Sequence, residues 1–195
     1  MVIRKLVANE AEALCRHLCR LSPEDRSWRF LCGLSDAAVA QHCRRLDWLR
    51  TVVVGCFEDG TLRGAAELQL AADGFPIVCE AALSVETGWQ NRGIATELMR
   101  RLLVIARNRW ARGVRVSCRG DNWRMRRVAA KFSARFNFSD ELAAAEIATP
   151  TPDYASYCAE AIADGFGWIG ACLDPLLPAV PALRQRAFGA LAIAD

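Results

Sequence analysis

The chain has 195 residues, of which 53% are hydrophobic and 24% are charged, and its formal net charge is only +3. A chain of this length and apolar content can bury one hydrophobic core, which excludes a disordered protein, a collagen and an enzyme of two domains. The nine cysteines are irregularly spaced, and an odd number cannot all pair. We therefore expect reduced, mostly buried thiols, and the weak net charge does not by itself indicate a nucleic-acid partner.

Neither the N-terminus nor the most apolar late segment has the pattern of a targeting or membrane signal. Arg4 and Lys5 are followed by Asn9 and Glu10 rather than by an apolar core with a cleavage site, so no signal peptide is expected. The stretch 165–180 is interrupted by glycine, aspartate and proline, and it falls short of the roughly 20 apolar residues that a membrane span requires. The sequence predicts a soluble, cytoplasmic protein with no membrane partner.

The first part of the chain predicts a strand, three helices and a β-hairpin. Serine is a favourable helix cap, proline suits the first helical turn, and a polar turn with glycine between two alternating runs is typical of a hairpin. In chain order the elements are a strand at 2–7, helices beginning at Asn9, Ser22 and Ser35, and a hairpin at 51–70.

The second part alternates between strand and helix periodicity, which predicts an α/β (α+β) fold. After a turn at Asp73-Gly74, the elements are a strand at 77–85, a helix at 93–106, a strand at 114–118, a helix to about 132, a strand or strand pair to about 149, and a helix at 154–163. No repeat or long linker divides the chain. We expect one domain at 1–150 and a C-terminal helical extension at 151–195 packed on it.

The loop between the strand at 77–85 and the next helix has the features of a phosphate cradle. Small residues at a helix start let the backbone approach a ligand and aim free N–H groups at it, an arrangement that suits a pyrophosphate. Gly93 leaves room, Ala95 keeps the second position small, and Thr96 adds a hydroxyl. An ordinary strand-to-helix turn is the alternative.

A second motif, on a later helix, makes the interpretation of this loop more specific. Gln90-x-x-Gly93-x-Ala95 follows a strand that ends in Leu83-Ser84-Val85, and Asn122-x-x-Met125-x-x-Val128-Ala129-x-Lys131 follows on a later helix. They resemble motifs A and B of the GCN5-related N-acetyltransferase (GNAT) superfamily, over roughly the first three quarters of the chain. The spacing from Glu80 to Gln90 also resembles that of the catalytic domain of Pat-type bacterial protein-lysine acetyltransferases.

The resemblance implies a GNAT fold: a mixed central sheet with helices on both faces, and acetyl-CoA bound where the parallel strands at 77–85 and 114–118 splay apart. The end of the first strand would pair with pantetheine, the loop would take the pyrophosphate, and Asn122 would contact the pantetheine arm or cap its own helix. No metal is implied. The implied cofactor-binding residues are Leu83, Ser84, Val85, Gln90, Asn91, Arg92, Gly93, Ile94, Ala95, Thr96 and Asn122.

Glu80 is the predicted catalytic residue. An amine must lose a proton to attack a thioester, so the reaction needs a base, and the resemblance places the Pat-type glutamate at this position. A carboxylate in an apolar strand is expected to be partly desolvated, which raises its pKa. A structural salt bridge is the alternative. The tyrosine that many members carry on the motif B helix is replaced by Ala129, so the group that protonates the leaving thiolate is not identified.

The remaining chemistry-bearing residues give weaker signals. Cys118 is expected to be a buried structural thiol, and with His17 and His42 as the sole histidines neither a Ser-His-Asp site nor a His-rich metal site is expected. The segment 100–135 holds 12 basic residues and one acid, yet too few interleaved aromatic residues for nucleic-acid binding. The basic residues assigned to the phosphates of CoA are Arg92, Arg124 and Arg126.

The predicted function is therefore N-acetyl transfer from acetyl-CoA to a primary amine, on a protein lysine or a small molecule, by direct attack with Glu80 as general base. A non-catalytic acyl-CoA-binding regulatory module is the alternative. The acceptor and the oligomeric state are left open, because aromatic residues of the tail can wall the acceptor pocket, seal the core or form a homodimer contact. These residues are Tyr154, Tyr157, Phe166 and Trp168.

Overall fold

The computed structural model describes residues 1–70, 77–139 and 141–173, so the turn predicted at Asp73-Gly74 lies outside the described residues. Short 3₁₀ turns at Ala8–Glu10 and Thr87–Trp89 precede α1 and α4. The elements in chain order are β1 (Val2–Lys5), α1 (Ala11–Cys19), α2 (Pro23–Phe30), α3 (Asp36–Arg45), β2 (Thr51–Glu58), β3 (Thr61–Gln69), β4 (Val78–Val85), α4 (Ile94–Asn108), β5 (Gly113–Arg119), α5 (Trp123–Ala130), β6 (Arg135–Ser139), β7 (Leu142–Ala148) and α6 (Tyr154–Leu173).

The strands form one mixed sheet in the order β1-β2-β3-β4-β5-β7-β6. Strands β4 and β5 are parallel neighbours, and their pairing runs from Val78 opposite Gly113 to Ala81 opposite Val116. Beyond Ala81 the two strands diverge. The mixed sheet, the helices on both faces and the splayed parallel pair confirm the predicted fold class.

The hairpin of β2 and β3 shows how local sequence sets the register. Asp59 and Gly60 both have positive φ values, 51° and 68°, as a two-residue type I′ turn requires, and this turn matches the twist of the flanking strands. Glu58 is consequently paired with Thr61, and the predicted hairpin is confirmed.

Two apolar layers cover the sheet. On one face α4 buries Leu98, Met99 and Leu102 against strand residues that include Leu68 and Val114. On the other face α1 and α3 bury residues such as Leu14, Leu18 and Val39 against β2 and β3. The apolar stripe of α4, read from its 3.6-residue period, therefore predicts the helix and its buried face correctly.

Of the three helix starts predicted in the first part of the chain, those at Ser22 and Ser35 are N-caps in the structure. The hydroxyl oxygens of Ser22 and Ser35 accept hydrogen bonds from backbone N–H groups three residues later, as serine caps do. The cap predicted at Asn9 is wrong. Glu10, which is ion-paired with Arg4, reaches back to accept from the Val7 amide at 3.1 Å, so this carboxylate closes the turn in place of an Asn9 cap.

Helix α6 packs on β1 and α4 and is longer than the sequence predicts. Lys5 on β1 pairs with Glu160 and, at 2.7 Å, with Asp164. Gly167 permits close packing within the additional length, because a Cβ at this position would lie 2.9 Å from the Ile3 carbonyl oxygen. Glycine is tolerated inside the helix because tertiary packing outweighs its unfavourable propensity.

Candidate active site

A cavity of about 480 Å³ opens where β4 and β5 diverge, a volume within the range of small-molecule sites. Its walls come from the end of β4, the loop before α4, the first turn of α4, helix α5 and helix α2. Arg92 is the one predicted cofactor-binding residue that does not line it. The predicted residues that do are Leu83, Ser84, Val85, Gln90, Asn91, Gly93, Ile94, Ala95, Thr96 and Asn122.

The backbone of β4 offers hydrogen-bond donors to this cavity. The Glu86 N–H donates to the Arg63 carbonyl of the neighbouring strand at 3.0 Å. Because the N–H direction alternates along a strand, the amides of Leu83 and Val85 point the other way, toward β5. The pairing with β5 ends at Ala81, so these two donors lie past the last pair of the ladder. An extended, amide-bearing ligand can add to the sheet here.

The first turn of α4 offers a second set of donors. Gly93 caps the helix with φ at 81°, a left-handed conformation that favours glycine, and no side chain caps the turn. The first amides of a helix have no partner within it, and the helix dipole adds positive potential at this end. The Lys131 side chain lies at the same turn, where its Nζ donates to Thr96 Oγ1 at 3.2 Å. This end of the cavity therefore suits an anion such as a diphosphate.

The basic residues divide differently from the sequence prediction. Arg124 lines the cavity, whereas the guanidiniums of Arg92 and Arg126 stack on aromatic rings, Trp89 at 4.7 Å and Phe138 at 4.9 Å from the ring centroids. Further lining residues from α5 and its C-cap are Trp123, Met125, Arg127, Val128 and Lys131. Positions 124, 127, 128 and 131 share one helical face, a periodic signal that could have identified Arg127 and Lys131.

Asn122 holds the start of α5 at the cavity. Its Oδ1 accepts a hydrogen bond from the Met125 N–H at 2.9 Å, and the residue is buried while lining the cavity. The capping alternative is thus observed, and the cap places the residue where a role toward the pantetheine arm can coexist with it.

Helix α2 forms a wall that the sequence did not predict. Asp25 accepts hydrogen bonds from Thr87 Oγ1 at 2.9 Å and from Gln90 Nε2 and Arg124 Nη1, each at 3.1 Å. Trp28 lies under the Arg124 guanidinium, 4.9 Å from its ring centroid. Asp25 therefore ties α2 to the loop before α4 and to α5 across the cavity wall.

Glu80 lies outside this cavity. The residue is exposed and borders a separate depression of about 290 Å³, together with Gln69 and Arg115 from the neighbouring strands. The expected desolvation of Glu80 is wrong, because its side chain lies on the face of β4 away from the α4 core that buries Cys79 and Ala81. In the described part of the chain Glu80 forms no ion pair, although Arg115 is its register partner.

A buried polar array stands at the end of β4. His17 of α1 is fully buried, with Nε2 2.9 Å from Ser84 Oγ and Nδ1 3.2 Å from Glu86 Oε1. Burial opposes ionisation of Glu86, but hydrogen bonds from His17, Arg20 and Arg63 lower its pKa to about 2. No local pattern in the sequence indicates this array, because folding joins residues that are far apart in the chain.

A second buried carboxylate, that of Glu67, is expected to stabilise the fold by an amount that depends on pH. Burial opposes ionisation of Glu67, but Arg29, at 2.5 Å, and His42 lower its pKa to about 2. A lowered pKa stabilises the fold above the ordinary value near 4.5, and this contribution disappears as the pH falls from there toward 2. Glu67→Gln should therefore lower the free energy of unfolding by about 2 kcal/mol at pH 7. This loss is smaller than the lowered pKa alone implies, because the glutamine side chain keeps a hydrogen bond.

Denaturant titrations of both proteins from pH 7 to pH 2 test this prediction. The difference between them should shrink as the pH falls below about 4.5 and vanish near the lowest pH. A difference that stays constant across this range would show that the Glu67 charge is not its source.

The cysteine on β5 and the remaining ionisable groups of the described residues give no indication of a second site. Burial raises the pKa of the Cys118 thiol, which favours its structural interpretation over a nucleophilic one.

Within residues 1–70, 77–139 and 141–173, no group of three or more His, Cys, Asp or Glu side chains is placed to hold a metal. None of the helices described has the length and apolar content needed to cross a bilayer. The four tail aromatics do not line this cavity, and Trp168 stacks on Arg4.

Comparisons with known proteins agree with this geometry. Residues 13–133 match the model of the acetyltransferase (GNAT) family. The GNAT domain of PAT from S. lividans is similar in structure, with TM-score 0.65 and 22% identity over 75% of this chain and 89% of that one. The ribosomal-protein-alanine N-acetyltransferase from Brucella melitensis gives TM-score 0.61 and 12% identity over 76% and 99% of the two chains.

A third similar structure is yncA from Salmonella typhimurium, solved with its cofactor acetyl-CoA, with TM-score 0.58 and 16% identity over 79% of this chain and 98% of that one. No curated protein matches the sequence significantly. The family model covers more than half of the chain, and its match includes the strand, loop and helices that build the cavity. The chain belongs to the GNAT family of acetyltransferases.

Proposed function

We propose that the protein transfers the acetyl group of acetyl-CoA to a primary amine, on a protein lysine or a small molecule, by direct attack of the amine on the thioester. One observation carries this proposal: a single cavity joins the amides of Leu83 and Val85, which lie beyond the last residue pair of β4 and β5, to the first turn of α4, which no side chain caps. Acetyl-CoA has matching parts, an extended arm with amide groups and a diphosphate.

The side from which the amine approaches follows from the layers of the sheet. Helix α4 covers the face of β4 that bears Cys79 and Ala81, so the amine reaches the thioester from the opposite face. Glu80 lies on that face, three residues before Leu83, about 10 Å along the strand at 3.3 Å per residue. We propose Glu80 as the general base, accepting the proton of the amine through intervening water.

A non-catalytic acyl-CoA-binding module is the second candidate. It is favoured by Ala129, which stands fully buried where a proton-donating tyrosine is found in many family members, and by the distance of Glu80 from the cavity. The thiolate of CoA is a tolerable leaving group, since thiols titrate near pH 8.5. For this reason we place catalysis first. We also propose that residues 1–150 form the catalytic domain and that 151–195 form an extension to it.

The two candidates differ in whether an amine changes the fate of acetyl-CoA. We expect the purified protein to release free CoA when amines are added, and a panel of lysine peptides and small amines then identifies the acceptor class. The measurement is free thiol against time, with acetyl-CoA affinity measured in parallel by calorimetry. Tight acetyl-CoA binding with no amine-dependent release across the panel would favour the binding module.

A further inference from the structure

Ser84, His17 and Glu86 form a hydrogen-bonded array with the chemistry of an activated hydroxyl. With its pKa near 2, the Glu86 carboxylate is ionised at neutral pH and can only accept, so it takes the hydrogen bond of the His17 Nδ1–H. In the neutral ring that carries its proton on Nδ1, the lone pair of Nε2 faces Ser84 Oγ at 2.9 Å. This is the tautomer in which a histidine removes a proton from a serine hydroxyl.

The orienting carboxylate is held rigidly. Arg20 Nε donates to Glu86 Oε1 at 2.8 Å, and Arg63 Nη1 donates to Oε2 at 2.9 Å. Glu86 is therefore fixed from two sides without His17, and its hydrogen bond to the imidazole sets the ring orientation. A hydroxyl, a base and a carboxylate that orients the base follow the general arrangement of an activated nucleophile.

The array also lies beside the part of the cavity in which we place the thioester of acetyl-CoA. Ser84 lines the cavity at the diverging end of β4, between the two residues whose amides point toward β5. Those amides, of Leu83 and Val85, are donors that can stabilise negative charge on a carbonyl oxygen. Neither the amine reaction nor the Glu80 base uses the Ser84 hydroxyl.

We propose that Ser84 is itself an acetyl acceptor, so that the protein cleaves acetyl-CoA in the absence of an amine. Ser84 Oγ attacks the thioester carbonyl carbon while its proton passes to His17 Nε2. The C–S bond then breaks, and the thiolate of CoA takes that proton, leaving an acetyl-serine ester. Water hydrolyses the ester with His17 again as base, giving acetate and free Ser84. The proposal rests on acetyl-CoA binding in the cavity, as in the proposed function.

The test incubates the full chain with acetyl-CoA and no amine, quenches it in acid at short times, and maps acetylation by tandem mass spectrometry. Free CoA is followed in the same samples. We expect one acetyl group on Ser84 and amine-independent release of CoA. Ser84→Ala and His17→Gln should each lower this release by about 100-fold or more. Ser117→Ala, which changes a serine of β5 outside the cavity lining, should keep both the adduct and the release.

Each outcome decides the proposal. If acetyl-CoA binds but the parent protein neither carries an acetyl group on Ser84 nor releases CoA without amine, this proposal is overturned and the proposed function stands. Acetylation on lysine alone also overturns it. Release without a trapped ester supports it only if Ser84→Ala abolishes the release, and an unchanged rate in that variant overturns it. If acetyl-CoA does not bind at all, both proposals fail. Should Ser84→Ala not fold, the site mapped in the parent protein decides.

Discussion

Replacing Thr96 with aspartate should weaken acetyl-CoA binding by about two to three powers of ten. Thr96 is at the third position of α4 and lines the cavity, so the new carboxylate would face the diphosphate that we place there. Two unit charges about 5 Å apart repel by about 3 kcal/mol at an effective dielectric constant near 20. The aspartate would also attract Lys131, whose Nζ now donates to Thr96 Oγ1, away from the ligand.

The same substitution should not destabilise the protein, because an acidic residue in the first turn of a helix interacts favourably with the dipole. Thr96→Asn is the matched control, since it has nearly the same shape without the charge, and its affinity should fall much less. Calorimetric titration with acetyl-CoA and thermal melting of both variants give the two readouts. Equal losses of affinity in the two variants would show that charge at this turn does not govern binding.

Replacing Glu80 with glutamine should lower kcat for amine acetylation by about 100-fold or more while acetyl-CoA affinity changes little. Glutamine keeps the shape of the side chain and removes its ability to take a proton, and positioned general bases contribute about this much. Glu80 lies outside the cavity lining, so the loss should appear in turnover and not in cofactor binding.

Glu146→Gln is the control for this prediction. Glu146 on β7 is exposed and is the register partner of Arg115, and Arg115 is in turn the register partner of Glu80 on β4. The control therefore removes a nearby carboxylate without touching the proposed base. A pH profile of kcat for each variant completes the comparison. Full turnover in Glu80→Gln would exclude the base assignment, and a loss shared with Glu146→Gln would indicate a general electrostatic effect.

The sequence-predicted residues that line the cavity are those encoded by local spacing. Gly93 and Ala95 predict a close backbone approach at a helix start, and Asn122 predicts a cap; both depend on neighbours within a few residues. The register of the hairpin at Asp59-Gly60 and the buried stripe of α4 are likewise local. The helical spacing of positions 124, 127, 128 and 131 is also local, and it would have identified Arg127 and Lys131 as residues that face the cavity.

The parts that were missed depend on which faces the helices cover. Asp25 reaches the loop before α4 only because α2 packs against β4 and β5. The sequence around residue 25 does not predict where α2 packs. The burial of Glu80 was wrong for the same reason: an apolar strand does not reveal which of its faces is covered. The array of His17 with Ser84 joins positions 67 residues apart, a separation that no local pattern records.

A crystal structure of the protein with acetyl-CoA tests the central claim most directly. We expect the diphosphate within hydrogen-bond distance of the backbone amides of residues 93–96, and the thioester beside the amides of Leu83 and Val85. Clear density for the coenzyme elsewhere on the surface, with the turn at Gly93 bearing no phosphate, would contradict the account.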